Sequence, residues 1–372
     1  VTSLAVTHLQ LSHFRSHKRA VLDVDARPVA IHGPNGAGKT NLIEAISYLS
    51  PGRGLRRAQT GDVARKPEAL GWKISAELSN TGRVTELVTG AEGTASRTVT
   101  IDGKAATQTA LASVVRVLWL IPAMDRLWIE GAEGRRRFLD RATLSFVPDH
   151  AEASLRYERA MRERNRLLKD MVRDAHWYGA LEQQMAEAGA VVQANRAVCV
   201  AALIAAQDGA ATAFPIAELA LTDTGEIMAD GAEALLAAFQ DGRGRDMAAG
   251  RTLSGPHRSD LEAVYAVKGV PARDCSTGEQ KALLISLILA NARALARDTG
   301  QPPILLLDEV AAHLDADRRA ALYDEICALG AQAWMTGTEP GLFDALGARG
   351  QYLRVTDSAG ASTVTPEPSH AD

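Results

Sequence analysis

Ser276-Thr277-Gly278-Glu279-Gln280-Lys281 opens a helix-patterned stretch ahead of the apolar run Ile304-Leu305-Leu306-Leu307-Asp308-Glu309. Small residues before a helix start leave its first backbone N–H groups pointing outward, and such a helix end carries a partial positive charge suited to a phosphate. Far upstream, Gly33-Pro34-Asn35-Gly36-Ala37-Gly38-Lys39-Thr40 satisfies G-x-x-x-x-G-K-[ST], following a short apolar strand at 28–32 and preceding a helix at 41–49. The chain therefore carries two phosphate-seeking helix starts. A phosphate chain held by the first leaves the second to seek the nucleotide of another subunit, so the pattern predicts a head that closes as a dimer.

The chemistry of the upstream loop is explicit. Gly36 and Gly38 let the backbone approach phosphate oxygens, Lys39 reaches the β- and γ-phosphates, and Thr40 offers its hydroxyl to Mg²⁺. Gly33, Asn35, Gly36, Ala37, Gly38, Lys39, Thr40 and Asn41 are the candidate residues for ATP, with Ser276, Thr277 and Gly278 facing the ATP of the partner. Two carboxylates end the apolar run. Asp308 would complete the Mg²⁺ shell with Thr40, and Glu309 would orient or deprotonate the attacking water, so Lys39, Asp308 and Glu309 are the candidate catalytic set. His313-Leu314-Asp315 follows, where Asp315 either lines a dimer seam or caps the next helix. Thr336-Gly337-Thr338 ends the last apolar strand and offers only hydroxyls where transport ATPases carry a phosphate-sensing histidine.

Composition narrows the partners. The 372 residues carry a formal net charge of −4, so a nucleic-acid surface has to be a local basic patch. Cys199, Cys275 and Cys327 are widely spaced and odd in number, which suits a reducing, cytoplasmic compartment without structural disulfides. The apolar stretch 282–290 is too short to span a bilayer, and no membrane role is expected.

Along the chain, 4–11 and 21–24 alternate like strands, and segments at 72–78, 84–88 and 97–101, punctuated by Asn80-Thr81-Gly82 and Asp102-Gly103, predict an antiparallel β layer. One more apolar strand covers 114–121. Residues 134–206 are Ala-, Arg- and Glu-rich with helical spacing, and Asp241-Gly242-Arg243-Gly244-Arg245 reads as a mobile connection. The expected organisation is the N-terminal part of a head over 1–120, an inserted helical lobe over 121–250, the C-terminal part of the head over 251–357 and a disordered tail over 358–372.

These motifs resemble the RecF family of DNA replication and repair proteins, relatives of the SMC-type ATPases. The resemblance rests on Phe14-Arg15-Ser16-His17, on Gly33 to Asn41 followed by Leu42-Ile43-Glu44-Ala45-Ile46, and on Pro122, Asp125 and Gly131 with Arg135-Arg136-Arg137-Phe138-Leu139-Asp140. Arg164-Asn165 with Leu167-Leu168-Lys169 and, above all, Gly255-Pro256-His257-Arg258-Ser259-Asp260-Leu261 complete it. Ala132 stands where the family usually has proline. The resemblance implies an α/β fold: a P-loop ABC-type ATPase head with an antiparallel β layer and an inserted helical lobe, without a long coiled coil. It implies Arg15 beside the nucleotide, an ATP-dependent homodimer, binding to gapped or single-strand/double-strand junction DNA, and work with RecO and RecR to load RecA. It further implies a weak, DNA-stimulated ATPase.

For DNA, Arg156, Arg159, Arg162, Arg166, Lys169 and Arg173 step by 3, 3, 4, 3 and 4. At ~100° per residue they share one helix face, suited to phosphates or to solvent. Arg56 and Arg57, in a glycine-rich basic loop, are further candidates, whereas Arg135-Arg136-Arg137 is better suited to structural pairing or dimer contact than to DNA. Two other readings stand beside the repair clamp: an ATP-gated DNA scaffold with negligible turnover, and another ABC-type motor, which Ile121-Pro122 and Thr336 disfavour.

Overall fold

The computed structural model describes residues 3–368 apart from 67, 69, 94, 224–229 and 359. The chain opens with β1 (Ala5–Phe14) and β2 (His17–Asp23), and β3 (Val29–His32) runs into α1 (Lys39–Ser47). One-turn α2 (Thr60–Val63) precedes β4 (Trp72–Asn80), β5 (Arg83–Ala91), β6 (Thr98–Ile101), β7 (Lys104–Ala105) and β8 (Val117–Leu120). Next come α3 (Ala132–Phe146), α4 (His150–Lys169), α5 (Ala175–Gln207), β9 (Ala217–Asp223), α6 (Gly231–Asp241), α7 (Arg243–Ala249), β10 (Ser259–Tyr265) and β11 (Val270–Pro271). The chain closes with α8 (Thr277–Thr299), β12 (Ile304–Leu307), α9 (Ala316–Leu329), β13 (Ala333–Gly337), β14 (Gln351–Ser358) and β15 (Ala361–Glu367).

Two compact units result: a head of Val1–Asp125, Ala206–Ile216 and Ser276–Asp372, and a lobe of Arg126–Ala205 and Ala217–Cys275. The fold class is the expected one, but the lobe extends to Cys275 rather than 250. The reason is strand pairing: β10 runs antiparallel to β9 from Ser259↔Asp223 to Tyr265↔Ala217, which keeps the Gly255–Leu261 heptad in the lobe. The supposed mobile connection at 241–245 is also corrected. Gly242 joins α6 to α7, and buried Asp246 accepts from Arg164 at 2.6 Å.

In the head, one sheet is antiparallel, β2-β1-β4-β5-β6-β7. Its hairpins turn through Thr81-Gly82 and Asp102-Gly103, each pair at positive φ, the backbone twist that two-residue β-hairpin loops prefer. The second sheet, β15-β14-β3-β13-β12-β8, is parallel except for β15. Its central strands are continuous apolar runs, as strands covered on both faces must be. A single core joins the two sheets around α1, with Leu9, Leu11, Ile31, Leu42, Ile46, Leu306 and Trp334 fully buried. Phe14, Tyr48 and Trp72 meet edge to face in it, with ring centroids 5.1–6.0 Å apart. Buried Gln332 links the sheets: its amide donates to the carbonyls of Val6 (2.8 Å) and Asp25 (2.7 Å) and accepts from the Val6 N–H.

The disordered tail expected from Ser358 onward is corrected as well. Ala361–Glu367 pairs with β14 from Ser358↔Ala361 to Tyr352↔Glu367. Alternating threonine and valine favour the pleat, and Pro366 is tolerated because β15 is an edge strand. Residues 369–372 lie outside the described part.

In the lobe, Tyr157, Ala160, Met185, Ala186, Leu235 and Phe239 form the core. Fully buried Arg164 donates to Glu182 (3.1 Å), Asp246 (2.6 Å), Thr252 (2.8 Å) and the Phe239 carbonyl (2.9 Å). A buried charge persists only when paired in this way. By length and composition α5, with a mean hydropathy of 1.6 over its most apolar window, could cross a membrane, and the apolar stretch at 282–290 is therefore not the one to weigh. Yet α5 carries Glu182 and Arg196, both buried in ion pairs with lobe residues, as the core helix of a water-facing lobe would.

Candidate active site

The phosphate loop is built by close approach to backbone. A Cβ on Gly33 (φ +147) would collide with the Val355 carbonyl of β14, and one on Gly38 (φ +106) with Ser362 and Ser16. Gly36 (φ +82) faces open space. Gly38 precedes α1, and no side chain caps that helix start. Lys39 folds back: its Nζ donates to the carbonyls of Gly33 (2.6 Å) and Pro34 (2.9 Å). Burial pushes its ammonium pKa down, while Glu309 and Asp308 pull it up.

The end of β12 meets this loop directly. Thr40 Oγ1 donates to Asp308 Oδ1 at 2.9 Å, and Thr336 Oγ1, at the end of β13, donates to the same oxygen at 2.7 Å. The Thr336 hydroxyl also accepts from the Glu309 N–H at 2.9 Å. Glu309 sits at φ 54, a left-handed conformation costing about 1–3 kcal/mol for such a residue and characteristic of functional turns. Thr336, read from the sequence only as lacking a histidine, is thus the residue that fixes both carboxylate-bearing positions.

Arg15 stands beside α1 rather than in the loop. Its Nε and one terminal nitrogen clasp fully buried Glu44 at 2.9 and 2.6 Å, and the other terminal nitrogen donates to the Asp62 carbonyl at 2.7 Å. Arg56 joins the same carboxylate at 2.9 Å and the Asn41 side chain at 2.7 Å, and Arg57 lies exposed next to it.

Ser276 starts α8 with a complete capping box. Its N–H and hydroxyl both donate to Glu279 Oε2 at 2.8 Å, while the Glu279 N–H points back to Ser276 Oγ at 3.4 Å. Thr277 and Gly278 form the first turn. Asp315 caps α9, accepting from the Arg318 N–H at 2.8 Å. The structure gathers the loop, Thr40, Asp308 and Glu309 into one place; the hydrogen bonds of Ser276 stay within its own helix.

In the lobe, Arg156, Arg159, Arg162, Arg166 and Lys169 lie exposed on α4, opposite buried Ala153, Tyr157, Ala160, Arg164 and Leu168. Arg173 is corrected: α4 ends at Lys169, so Arg173 is exposed beyond the helix and does not continue its face. Met171, likewise beyond the end of the helix, is exposed as well. Arg135 is bidentate to Asp260 at 2.7 and 2.8 Å and Arg136 donates to the Ser259 carbonyl at 2.9 Å, so these two serve internal pairing.

Comparison with known proteins agrees over almost the whole chain. The family model described as the RecF/RecN/SMC N-terminal domain matches residues 5–357. The chain is 48% identical over 364 residues to the DNA replication and repair protein RecF of Rhizobium meliloti (strain 1021), covering 95% of this chain and 97% of that protein. It is 47% identical to the RecF of Caulobacter vibrioides, covering 99% and 100%. In fold it is similar to the recombination mediator protein RecF-ATP of the RecFOR pathway, with a TM-score of 0.84 at 22% identity over 99% of this chain and 98% of that one. It is also similar to the Smc head domain from Pyrococcus furiosus, with a TM-score of 0.58 at 17% identity over 98% and 96%. The chain belongs to the RecF family of DNA replication and repair proteins.

Proposed function

We propose that this chain is an ATP-dependent DNA-binding clamp of recombinational repair and replication restart. It dimerises on ATP at gapped or single-strand/double-strand junction DNA in the cytoplasm and assists RecA loading with RecO and RecR. The observation that carries the reading is the convergence of Lys39, Thr40 and Asp308 at one loop, with Glu309 fixed beside them through Thr336.

The residues suit ATP·Mg²⁺. Gly36 leaves open space where a backbone must approach phosphate oxygens, and the uncapped start of α1 offers N–H groups to an anion. Gly33, Asn35, Ala37, Gly38 and Asn41 complete the cradle. Thr40 and Asp308 are hard oxygen donors that would hold Mg²⁺, whose chemistry is charge neutralisation at the phosphates. Lys39 would exchange its two carbonyl partners for phosphate oxygens. Glu309 would orient and deprotonate the attacking water in a weak, DNA-stimulated hydrolysis. Arg15, already clasping Glu44, would hold α1 in place beside the nucleotide. Ser276, Thr277 and Gly278 of one subunit would close on the ATP of the other, so that ATP favours the dimer by touching both subunits only there. Arg156, Arg159, Arg162, Arg166 and Lys169 would line DNA phosphates, with Arg173, Arg56 and Arg57 as outlying contacts.

The test is the mass in solution of the wild type, Lys39→Met and Ser276→Arg, with and without ATP·Mg²⁺ and gapped DNA. The wild type is expected to become a dimer and to retain DNA only with ATP, and Ser276→Arg to bind ATP yet remain monomeric. A mass indifferent to ATP, or DNA binding equal without it, overturns the reading.

A further inference from the structure

The segment after Ser358 does more than complete a sheet edge. Ser362 on β15 is 2% exposed, and its Oγ lies 2.5 Å from the Ala37 carbonyl of the phosphate loop and 2.6 Å from Ser16 Oγ. Ser16 Oγ in turn accepts from Asn41 Nδ2 at 2.7 Å. Ser362 Oγ is the donor toward the Ala37 carbonyl and is hydrogen-bonded to Ser16 Oγ, which itself accepts from the Asn41 amide, so the three side chains form one connected chain ending on the loop carbonyl. The backbone fastens the same contact: the Ser362 N–H donates to the Ser16 carbonyl at 3.0 Å, and Arg65 bridges the carbonyls of Ser16 (2.7 Å) and Gly360 (2.9 Å).

The consequence follows from the peptide plane. In a trans peptide the C=O and the next N–H point in opposite directions. Holding the Ala37 carbonyl toward β15 therefore aims the Gly38 N–H away from it. Fully buried His17 repeats the arrangement one peptide on, its Nε2 lying 3.2 Å from the Gly38 carbonyl, which aims the Lys39 N–H the same way. Both N–H groups belong to the start of α1, which no side chain caps.

We infer that Ser362, relayed through Ser16 and Asn41, is a positioning residue of the nucleotide site, orienting the Ala37–Gly38 peptide so that its N–H is presented to phosphate before nucleotide arrives. The inference rests on the proposed ATP site and extends it to the opposite end of the chain. Ser362 touches no nucleotide. It removes the need to reorganise the loop on binding, and its loss appears as weaker nucleotide binding rather than slower chemistry.

The experiment measures ATP affinity, the KM and kcat of ATP hydrolysis, and nucleotide-free melting for the full-length wild type, Ser362→Ala, Ser16→Ala and the double variant. Loss of one neutral hydrogen bond predicts about three- to tenfold weaker ATP binding in Ser362→Ala, with KM raised in step and kcat unchanged. Ser16→Ala should do nearly the same, and the double variant little more than either alone, since one relay is being cut. Unchanged ATP affinity in both single variants overturns the inference. So does a fall in affinity that tracks a fall in nucleotide-free melting temperature in both, because the hairpin would then only be holding the fold. A wild type that binds no ATP would instead sink the proposed site itself.

Discussion

Two helices of the head begin at glycine- and serine-rich sequence, and they begin differently. α1 starts from left-handed Gly38 with no side-chain cap, whereas α8 starts from Ser276 with a reciprocal capping box closed by the Glu279 carboxylate. Both carry the positive end of a helix dipole. At α1 that end is left for a ligand, and the protein spends side chains on the opposite faces of its peptides, through Ser362 and His17. At α8 the protein already supplies an anion of its own. A phosphate brought to Ser276 has to share the helix start with, or displace, Glu279, while a phosphate at α1 meets no such competitor. In the proposed clamp, this contrast would let one start bind nucleotide in the isolated subunit and leave the other to engage only when a partner presents it.

The largest expected effect is on nucleotide held between the two starts. Glu309→Gln should lower ATP turnover by about 10²–10⁴-fold without weakening ATP binding, trapping an ATP-bound dimer. Steady-state turnover beside sedimentation checks it, and full activity would favour the scaffold reading. Next is the open start itself: Lys39→Met should weaken ATP binding by roughly a hundredfold or more, measured by calorimetry. A tightly binding Lys39→Met would erase the difference between α1 and α8.

Smaller effects belong to α8. Glu279→Gln keeps a capping side chain but removes its charge, so dimerisation should reach its midpoint at about two- to fivefold lower ATP. An unchanged or higher midpoint would mean that Glu279 does not compete with phosphate. Ser276→Ala should cost about 1 kcal/mol of stability by urea unfolding, a loss with no counterpart at the uncapped α1. The smallest effect is pH. Burial, reinforced by Arg65 and opposed by the bond to Gly38, holds the His17 pKa below 6.5. Its contribution is therefore complete above pH 6.5 and lost as pH falls toward the depressed folded value, because the unfolded chain takes up the proton first. Folding stability should fall modestly over that range, as pH-dependent urea unfolding would show, and His17→Gln should flatten the profile.

Much of this was legible in the chain. The phosphate loop and the Asp308-Glu309 pair are contiguous, and their chemistry is written in residue types at fixed spacing. The hairpin turns at Thr81-Gly82 and Asp102-Gly103 are equally local. The six-residue basic stripe was legible only in part: five positions share α4, while the helix ends at Lys169 and leaves Arg173 outside. Periodicity does not report where a helix stops.

The sequence by itself determined the class of head and the family, and singled out the loop at 33–40 and the Asp308-Glu309 pair as the candidate site, because each is a short pattern of neighbouring residues. Tertiary structure alone decided that 251–275 belongs to the lobe, that Thr336 fixes Asp308 and Glu309, and that a polar tail supports the phosphate loop. Those outcomes depend on pairings such as Ser16 with Ser362, 346 positions apart. A serine in a threonine-rich tail looks the same in sequence whether it faces water or a loop carbonyl; burial and the hydrogen-bond partner that burial demands make the difference.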